Sequence, residues 1–147
     1  MTDFKLIGIK LNSKTENANG QSGKDCGSLW EYFEKNKIYD KIPNKISGEL
    51  YAVYYDYDSD ANGKFSYFIG AKVDANTMAP EGLTELEIPK QNYHKIVAKG
   101  PMPRCIAEAW QKIWITEIPR KYGFDLEVYD ERSHNWQDAE VDILLSI

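Results

Sequence analysis

The sequence predicts an α+β domain: a duplicated strand–helix–strand–strand unit with pseudo-twofold symmetry, forming an antiparallel sheet with both helices on one face and a ligand cleft between the halves. Three observations predict it. The order of strand-like and helix-like segments in the first half returns in the second with a period near 75 residues. Val53-Tyr54 and Val128-Tyr129 occupy matching positions in corresponding strands. Length and composition then set the scale: 147 residues, 42% hydrophobic and 28% charged, suit one globular domain spanning 1–147.

Residues 4–11 roughly alternate apolar and polar side chains and read as a strand, and the Asn-, Ser-, Gly- and Lys-rich stretch 12–28 reads as a long polar loop. From Ser28, a capping residue, to about Asn36, Leu29, Tyr32 and Phe33 share one helical face. After Pro43 and Gly48, residues 49–57 are dense in aromatic and β-branched side chains and form a strand. Asn62-Gly63 turns the chain into a second arm, Phe65 to Val73. That completes a first half of about 1–75, and residues 74–90, with Pro80, Gly82 and Pro89, read as a connector.

The second half, about 90–147, repeats the order. Residues 92–98 form a strand, broken by Gly100-Pro101-Met102-Pro103, and Pro103 suits a helix start. The helix runs to about Glu117 with Ile106, Ala109, Trp110 and Ile113 on one face, and Pro119 and Gly123 end it. Strand 125–130, a polar turn at 131–138 and a last strand at 139–147 follow.

The net charge of −5 and pI near 5.1 argue against a nucleic-acid-binding face and against attraction to anionic lipid. The amino terminus lacks the apolar core of a signal peptide, and no stretch approaches the roughly 20 apolar residues of a membrane span. Cys26 and Cys105 have neither the number nor the spacing of a disulfide framework or zinc site, and read as reduced thiols of a cytoplasmic protein. Ten Tyr, four Trp and five Phe are the unusual feature, and such rings serve cores and binding surfaces alike.

Several segments together resemble a known family. They are Gly27-Ser28-Leu29-Trp30 with Phe33, the run Tyr51 to Asp60, Phe68 to Val73, Gly100-Pro101-Met102-Pro103, Ala109-Trp110 with Ile113-Trp114, and Leu126-Glu127-Val128-Tyr129-Asp130. In this order, over nearly the whole chain, they resemble the gyrase-inhibitor-like small-molecule-binding domains, which also serve as effector-binding modules of AraC- and MerR-type multidrug-sensing regulators of bacteria. The subgroup most similar is the stand-alone transcriptional-regulator type. The resemblance implies an aromatic ligand pocket with one glutamate at Glu127. Two positions depart from the pattern: Leu126 stands where Phe is common, and Cys105 where a polar residue is common. The two halves consume all 147 residues and leave none for a helix-turn-helix segment, so direct DNA binding is not expected.

Strand alternation puts Glu127 and Tyr129 on one face with Ala52 and Tyr54, and predicts Leu126, Val128 and Val53 packed under the helices. A carboxylate in an aromatic-rich sheet suits recognition of a cation, with tyrosines adding cation–π contacts; the bland alternative is a solvent-facing Glu. Trp110 falls on the apolar stripe and reads first as core, while Trp30 and Trp114 lie off the main stripes and either line or rim the cleft. The loop Asp58 to Gly63 matches the first six positions of a calcium-binding EF-hand loop, but Ile69 stands where the closing Glu belongs and the flanks read as strands, so it reads as an acidic hairpin turn. His94 and His134 are isolated, and no metal or cofactor is expected.

The expected function is capture of an amphipathic, aromatic, cationic small molecule by Glu127, Tyr129, Tyr54, Trp30, Trp110 and Trp114, to sequester it or to signal through a partner protein. The alternatives are a small hydrolase of strained electrophiles with Glu127 as general base, and a protein-interaction or inhibitor domain acting through the acidic Asp56–Asp60 surface.

Overall fold

The computed structural model describes residues 2–17, 20–59 and 63–147. The first unit comprises β1 (Thr2–Lys10), a two-residue strand β2 (Thr15–Glu16), helix α1 (Gln21–Lys35), the single turn α2 (Ile38–Lys41), β3 (Lys45–Tyr55) and β4 (Lys64–Val73). A strand β5 (Thr84–Pro89) follows. The second unit comprises β6 (Tyr93–Gly100), α3 (Arg104–Ile115), β7 (Asp125–Tyr129) and β8 (Ala139–Ser146).

The strands form one antiparallel sheet in the order β5-β1-β4-β3-β7-β8-β6, with β2 attached to β4. Outward from the centre, β3-β4-β1 on one side mirrors β7-β8-β6 on the other, so the units are related by a pseudo-twofold axis between β3 and β7. The register locates that axis. A shift of 75 residues carries Tyr54 onto Tyr129 and Ala52 onto Glu127, and Ala52 is the direct cross-strand partner of Glu127. The axis therefore passes through the Ala52–Glu127 pair.

Both helical layers lie on the same face. Phe33, Ile38 and Ile42 pack on Ile7, Ile9, Ala52, Tyr67 and Ile69, while Cys105, Ala109, Trp110 and Ile113 pack on Ala98, Val141, Ile143 and Leu145. Tyr54 and Tyr129 touch both clusters, at the seam between the units. The other face holds Leu6, Tyr51, Val53, Phe68, Ile88, Leu126 and Val128. The expectation that Val53, Leu126 and Val128 lie under the helices is therefore corrected: they sit on the helix-free side. Their cluster draws on Leu86 and Ile88 of β5 and Tyr93 of β6, at opposite ends of the strand order, so the sheet curls around it and no helix is needed to bury it.

Three local readings also change. Helix α1 begins at Gln21 rather than Ser28, so half of the supposed loop 12–28 is helical, and Tyr32 is 55% exposed instead of sharing the buried face of Phe33. The connector 74–90 contains β5, whose Leu86 and Ile88 alternate with Glu85 and Glu87 and pair with β1. Helix α3 stops at Ile115, two residues before Glu117. The Asn62 half of the expected Asn62-Gly63 turn lies outside the described residues, with Asp60 and Ala61; β3 and β4 do pair as the arms of a hairpin.

The backbones of β1 and β4 approach closely where Gly8 faces Gly70, and a Cβ on Gly8 would lie 1.9 Å from the Ile69 carbonyl oxygen. Gly8→Ala must therefore push the two strands apart, and should destabilise the protein by roughly 1–3 kcal/mol. Urea unfolding followed by tryptophan fluorescence measures this, and an unchanged midpoint would contradict the close pairing.

Candidate functional site

The central strands present Tyr54 of β3, Tyr67 of β4, and Glu127 and Tyr129 of β7 towards the helices. Alternation along each strand gives this result, because Val53, Leu126 and Val128 take the opposite face. Glu127 is only 1% exposed and lies on the pseudo-twofold axis. Its symmetry mate is Ala52, fully buried and packed in the core of the first unit. Two glutamates here would place two buried like charges side by side; two alanines would leave no charge at all.

Glu127 is held by three donors. The Tyr129 hydroxyl donates to Oε1 at 2.5 Å, the Tyr54 hydroxyl to Oε2 at 2.9 Å and the Trp110 indole N–H to Oε2 at 2.6 Å. The two tyrosines are symmetry mates, so the duplication supplies one donor from each half. The tryptophans follow the same relation: Trp30 meets Tyr129 edge-on at 5.1 Å, and Trp110 meets Tyr54 at 4.9 Å. The symmetry breaks at their N–H groups, since Trp30 donates to the Tyr67 hydroxyl at 2.8 Å while Trp110 reaches the carboxylate. Short bonds to an ionised acceptor are the strong class, and they are what lets a buried carboxylate stay charged.

Burial raises the Glu127 pKa above the ordinary carboxylate value, and the bonds from Tyr129, Trp110 and Tyr54 pull it back part of the way. Burial, and then the nearby Glu127 charge, hold Tyr54, Tyr67 and Tyr129 well above the usual phenol range, so all three stay protonated. The Cys26 thiol is pushed up by the same two causes and is no thiolate nucleophile.

These groups line a cleft of about 1060 Å3, walled by α1 on one side and α3 on the other. That volume is at the upper end of the range for drug-sized ligands, about 300–1,000 Å3. All six expected residues border it: Glu127, Tyr129, Tyr54, Trp30, Trp110 and Trp114. Their situations differ. Trp110 is both core and site, buried on the α3 face yet bonded to Glu127, and Trp114 sits at the rim, 45% exposed. The solvent-facing alternative for Glu127 is excluded by its burial.

Sequence reasoning missed several lining residues. Gly23, Cys26 and Gly27 lie in the turns of α1 that read as loop, and a Cβ on either glycine would meet nothing within 4 Å, so these turns leave the cleft wide. Tyr67 and Arg120 were also missed. Alternation from Phe65 would have placed Tyr67 on the right face, but nothing local marks Arg120. At the hairpin, Asp58 pairs with Lys14 at 2.5 Å instead of facing a cation site, and its flanks are strands; Asp60 and Asn62 lie outside the described residues. His94 is exposed on β6 and His134 lies at the cleft rim. Among the described residues no group of three His, Cys, Asp or Glu side chains is placed to hold a metal ion.

The raised Glu127 pKa has a consequence for stability. A carboxyl whose folded pKa exceeds its unfolded one imposes no ionisation cost below the unfolded value, about 4.3, and the full cost above the folded value. The Tm of wild type minus that of Glu127→Gln should therefore fall as pH rises through and beyond the ordinary carboxylate range. Thermal melts of both proteins across that range measure the trend, and a constant or rising difference would contradict it.

The comparisons with known proteins agree with this architecture. All of residues 1–147 match the family model described as Cass2, integron-associated effector binding protein. Relatives include the transcriptional regulator BrlR of Pseudomonas aeruginosa, 31% identical over 134 residues, covering 85% of this chain and 47% of BrlR. This chain thus spans about half the length of BrlR. YobU of Bacillus subtilis, named for transcriptional regulation, is 25% identical over 142 residues, covering 93% of this chain and 89% of YobU. Among solved structures, the integron cassette protein VCH_CASS2 from the mobile metagenome of Vibrio cholerae superposes with a TM-score of 0.71 at 22% identity, covering 99% of this chain and 92% of that one. SAV2435, solved bound to tetraphenylphosphonium, gives 0.71 at 16% identity, covering 99% and 89%. Both have this fold. The chain belongs to the Cass2 family of integron-associated effector binding proteins.

Proposed function

We propose that this protein binds an amphipathic, aromatic, cationic small molecule in the cleft between its two units, and that Glu127 is the counter-ion. The observation that carries this reading is the Glu127 carboxyl group, buried on the cleft floor, accepting from three neutral donors among the described residues and ringed by Tyr54, Tyr67, Tyr129, Trp30 and Trp110. A cation entering there loses water, meets an anion that water screens poorly, and lies among ring faces that each add roughly 0.5–2 kcal/mol. An aromatic cation also matches the mostly apolar walls. The tetraphenylphosphonium bound by SAV2435, a protein of the same fold, is a ligand of this class.

The kinship to transcriptional regulators supports the role we infer: an effector captured here is sequestered, or its presence is passed to a partner protein in a transcriptional response. The two cysteines are free, as suits work in the cytoplasm, and among the described residues no helix is long and apolar enough to cross a membrane. A second reading has one observation in its favour, the raised Glu127 pKa, which suits a general base in a small hydrolase.

One variant separates the two. Glu127→Gln keeps the volume and removes the charge, and it should weaken a cationic dye by about tenfold or more while a neutral analogue of similar shape changes little. Tyr129→Phe, which removes one donor to the carboxylate, should cost less. Tryptophan-quenching titrations measure both effects. Equal binding of the cationic dye by wild type and Glu127→Gln would overturn the counter-ion role, and lost turnover with unchanged substrate binding would establish the base instead.

A further inference from the structure

Beyond Glu127 the cleft borders a second buried charged group, Arg120, whose side chain is only 5% exposed. It sits in the loop between α3 and β7, its guanidinium 4.3 Å from the Tyr122 ring centroid and 5.7 Å from that of Trp110. Tyr122 takes a φ of 54°, in the left-handed region that ordinary side chains avoid, and in that conformation its ring lies against Arg120. The Trp110 indole thus stands between the two charged residues, bonded to Glu127 through its N–H and faced by Arg120 on its ring.

The charge of Arg120 is already matched. Nη2 donates to Asp125 Oδ2 at 2.8 Å, and Asp125, fully buried, also accepts from the Tyr57 hydroxyl at 2.6 Å and from the Ser146 backbone N–H at 2.8 Å and hydroxyl at 3.2 Å. The Arg120 Nε–H, in contrast, is a buried donor with no acceptor among the described residues. An orphaned donor of this kind is rare in a folded protein, because its lost hydration is not replaced. Here the charge is neutralised and the hydrogen bond is vacant, so a second cation is not drawn to this end and a second anion would compete with Asp125. A neutral acceptor, such as a carbonyl, meets the requirement.

We propose that Arg120 is a specificity-determining residue, its Nε–H taking a neutral hydrogen-bond acceptor of the ligand, so that the cleft prefers aromatic cations carrying a carbonyl-type group about one indole width from the positive centre. This rests on the cation-binding reading above and refines it. A site built around such a donor favours a ligand that carries the acceptor, because that ligand supplies the hydrogen bond the free protein lacks, whereas an analogue without it leaves the donor as it already is.

The test compares two phosphonium cations of nearly equal size, (4-carbamoylphenyl)triphenylphosphonium and (4-isopropylphenyl)triphenylphosphonium, titrated into wild type and two variants. Arg120→Lys keeps a positive charge for Asp125 and removes the Nε donor. Arg120→Met/Asp125→Asn removes both charges together, so neither is left buried alone. Taking the amide-to-isopropyl affinity ratio in each protein cancels the different hydration of the two substituents. The ratio should fall by about tenfold from wild type to each variant, with the isopropyl compound binding all three proteins alike and thermal melts confirming that they are folded. An unchanged ratio in a folded variant overturns the assignment of Arg120 and leaves the Glu127 reading standing. If neither compound binds wild type, the cation-binding reading falls and this inference falls with it.

Discussion

The structure turns on one constraint: a carboxylate placed on a pseudo-twofold axis must be unique, buried and fully hydrogen-bonded. Duplication alone cannot meet it, because it delivers residues in pairs. The pair Ala52–Glu127 resolves the conflict with one small and one charged residue at equivalent positions, directly across from each other. The duplicated tyrosines then become an advantage. Tyr54 and Tyr129, identical by descent of position, converge from both sides and bond different oxygens of the same carboxylate. Removing Glu127 takes from the Tyr54 and Tyr129 hydroxyls and the Trp110 N–H the acceptor they share, so the centre behaves as one unit.

The helices obey the same constraint. Trp110 and Trp30 occupy corresponding places against the tyrosines, but only one indole can use the carboxylate, and the other turns to the Tyr67 hydroxyl. A glycine-bearing α1 faces a bulkier α3 across the cleft. Gly23 and Gly27 weaken helix propensity, and nothing packs where their side chains would be. Their absence keeps the space beside Glu127 open, so local helix stability is traded for cavity volume.

Much of this was legible in the chain. Period-two alternation correctly joined Ala52, Tyr54, Glu127 and Tyr129 on one face, and the Val-Tyr echo revealed the duplication and hence the seam where they meet. The rest was not, for physical reasons. The first turns of α1 are polar and glycine-rich because they border a cleft, which looks the same in sequence as a loop bordering solvent. The strand β5 alternates over too few residues, between prolines, to stand out from a connector. The burial of Val53, Leu126 and Val128 needed no helices because the sheet curls, and curl is a property of the whole sheet that no single strand encodes. Arg120 was invisible since its partner Asp125, its ring neighbour Tyr122 and its cleft neighbour Trp110 are assembled only by the fold.

The arrangement of donors bears on whether the centre recognises or reacts. A general base needs an accessible lone pair and a proton affinity close to that required by the reaction. At Glu127, Oε2 already accepts from both Tyr54 and Trp110, and Oε1 from Tyr129, so each bond lowers the affinity that burial raises. Three neutral donors do not cancel the negative charge; they hold it still and spread it towards the surrounding rings. A reacting base is improved by having few such bonds, whereas a counter-ion is improved by having many, since each favours the ionised form against the burial that opposes it. The tyrosine hydroxyls favour the counter-ion as well. Held well above the normal phenol range, they cannot exchange roles with the glutamate as proton acceptors, and they remain fixed dipoles aimed at it. Under the proposed counter-ion role, a charge preorganised in this way attracts a cation into the cleft, and shape then selects among the cations that enter.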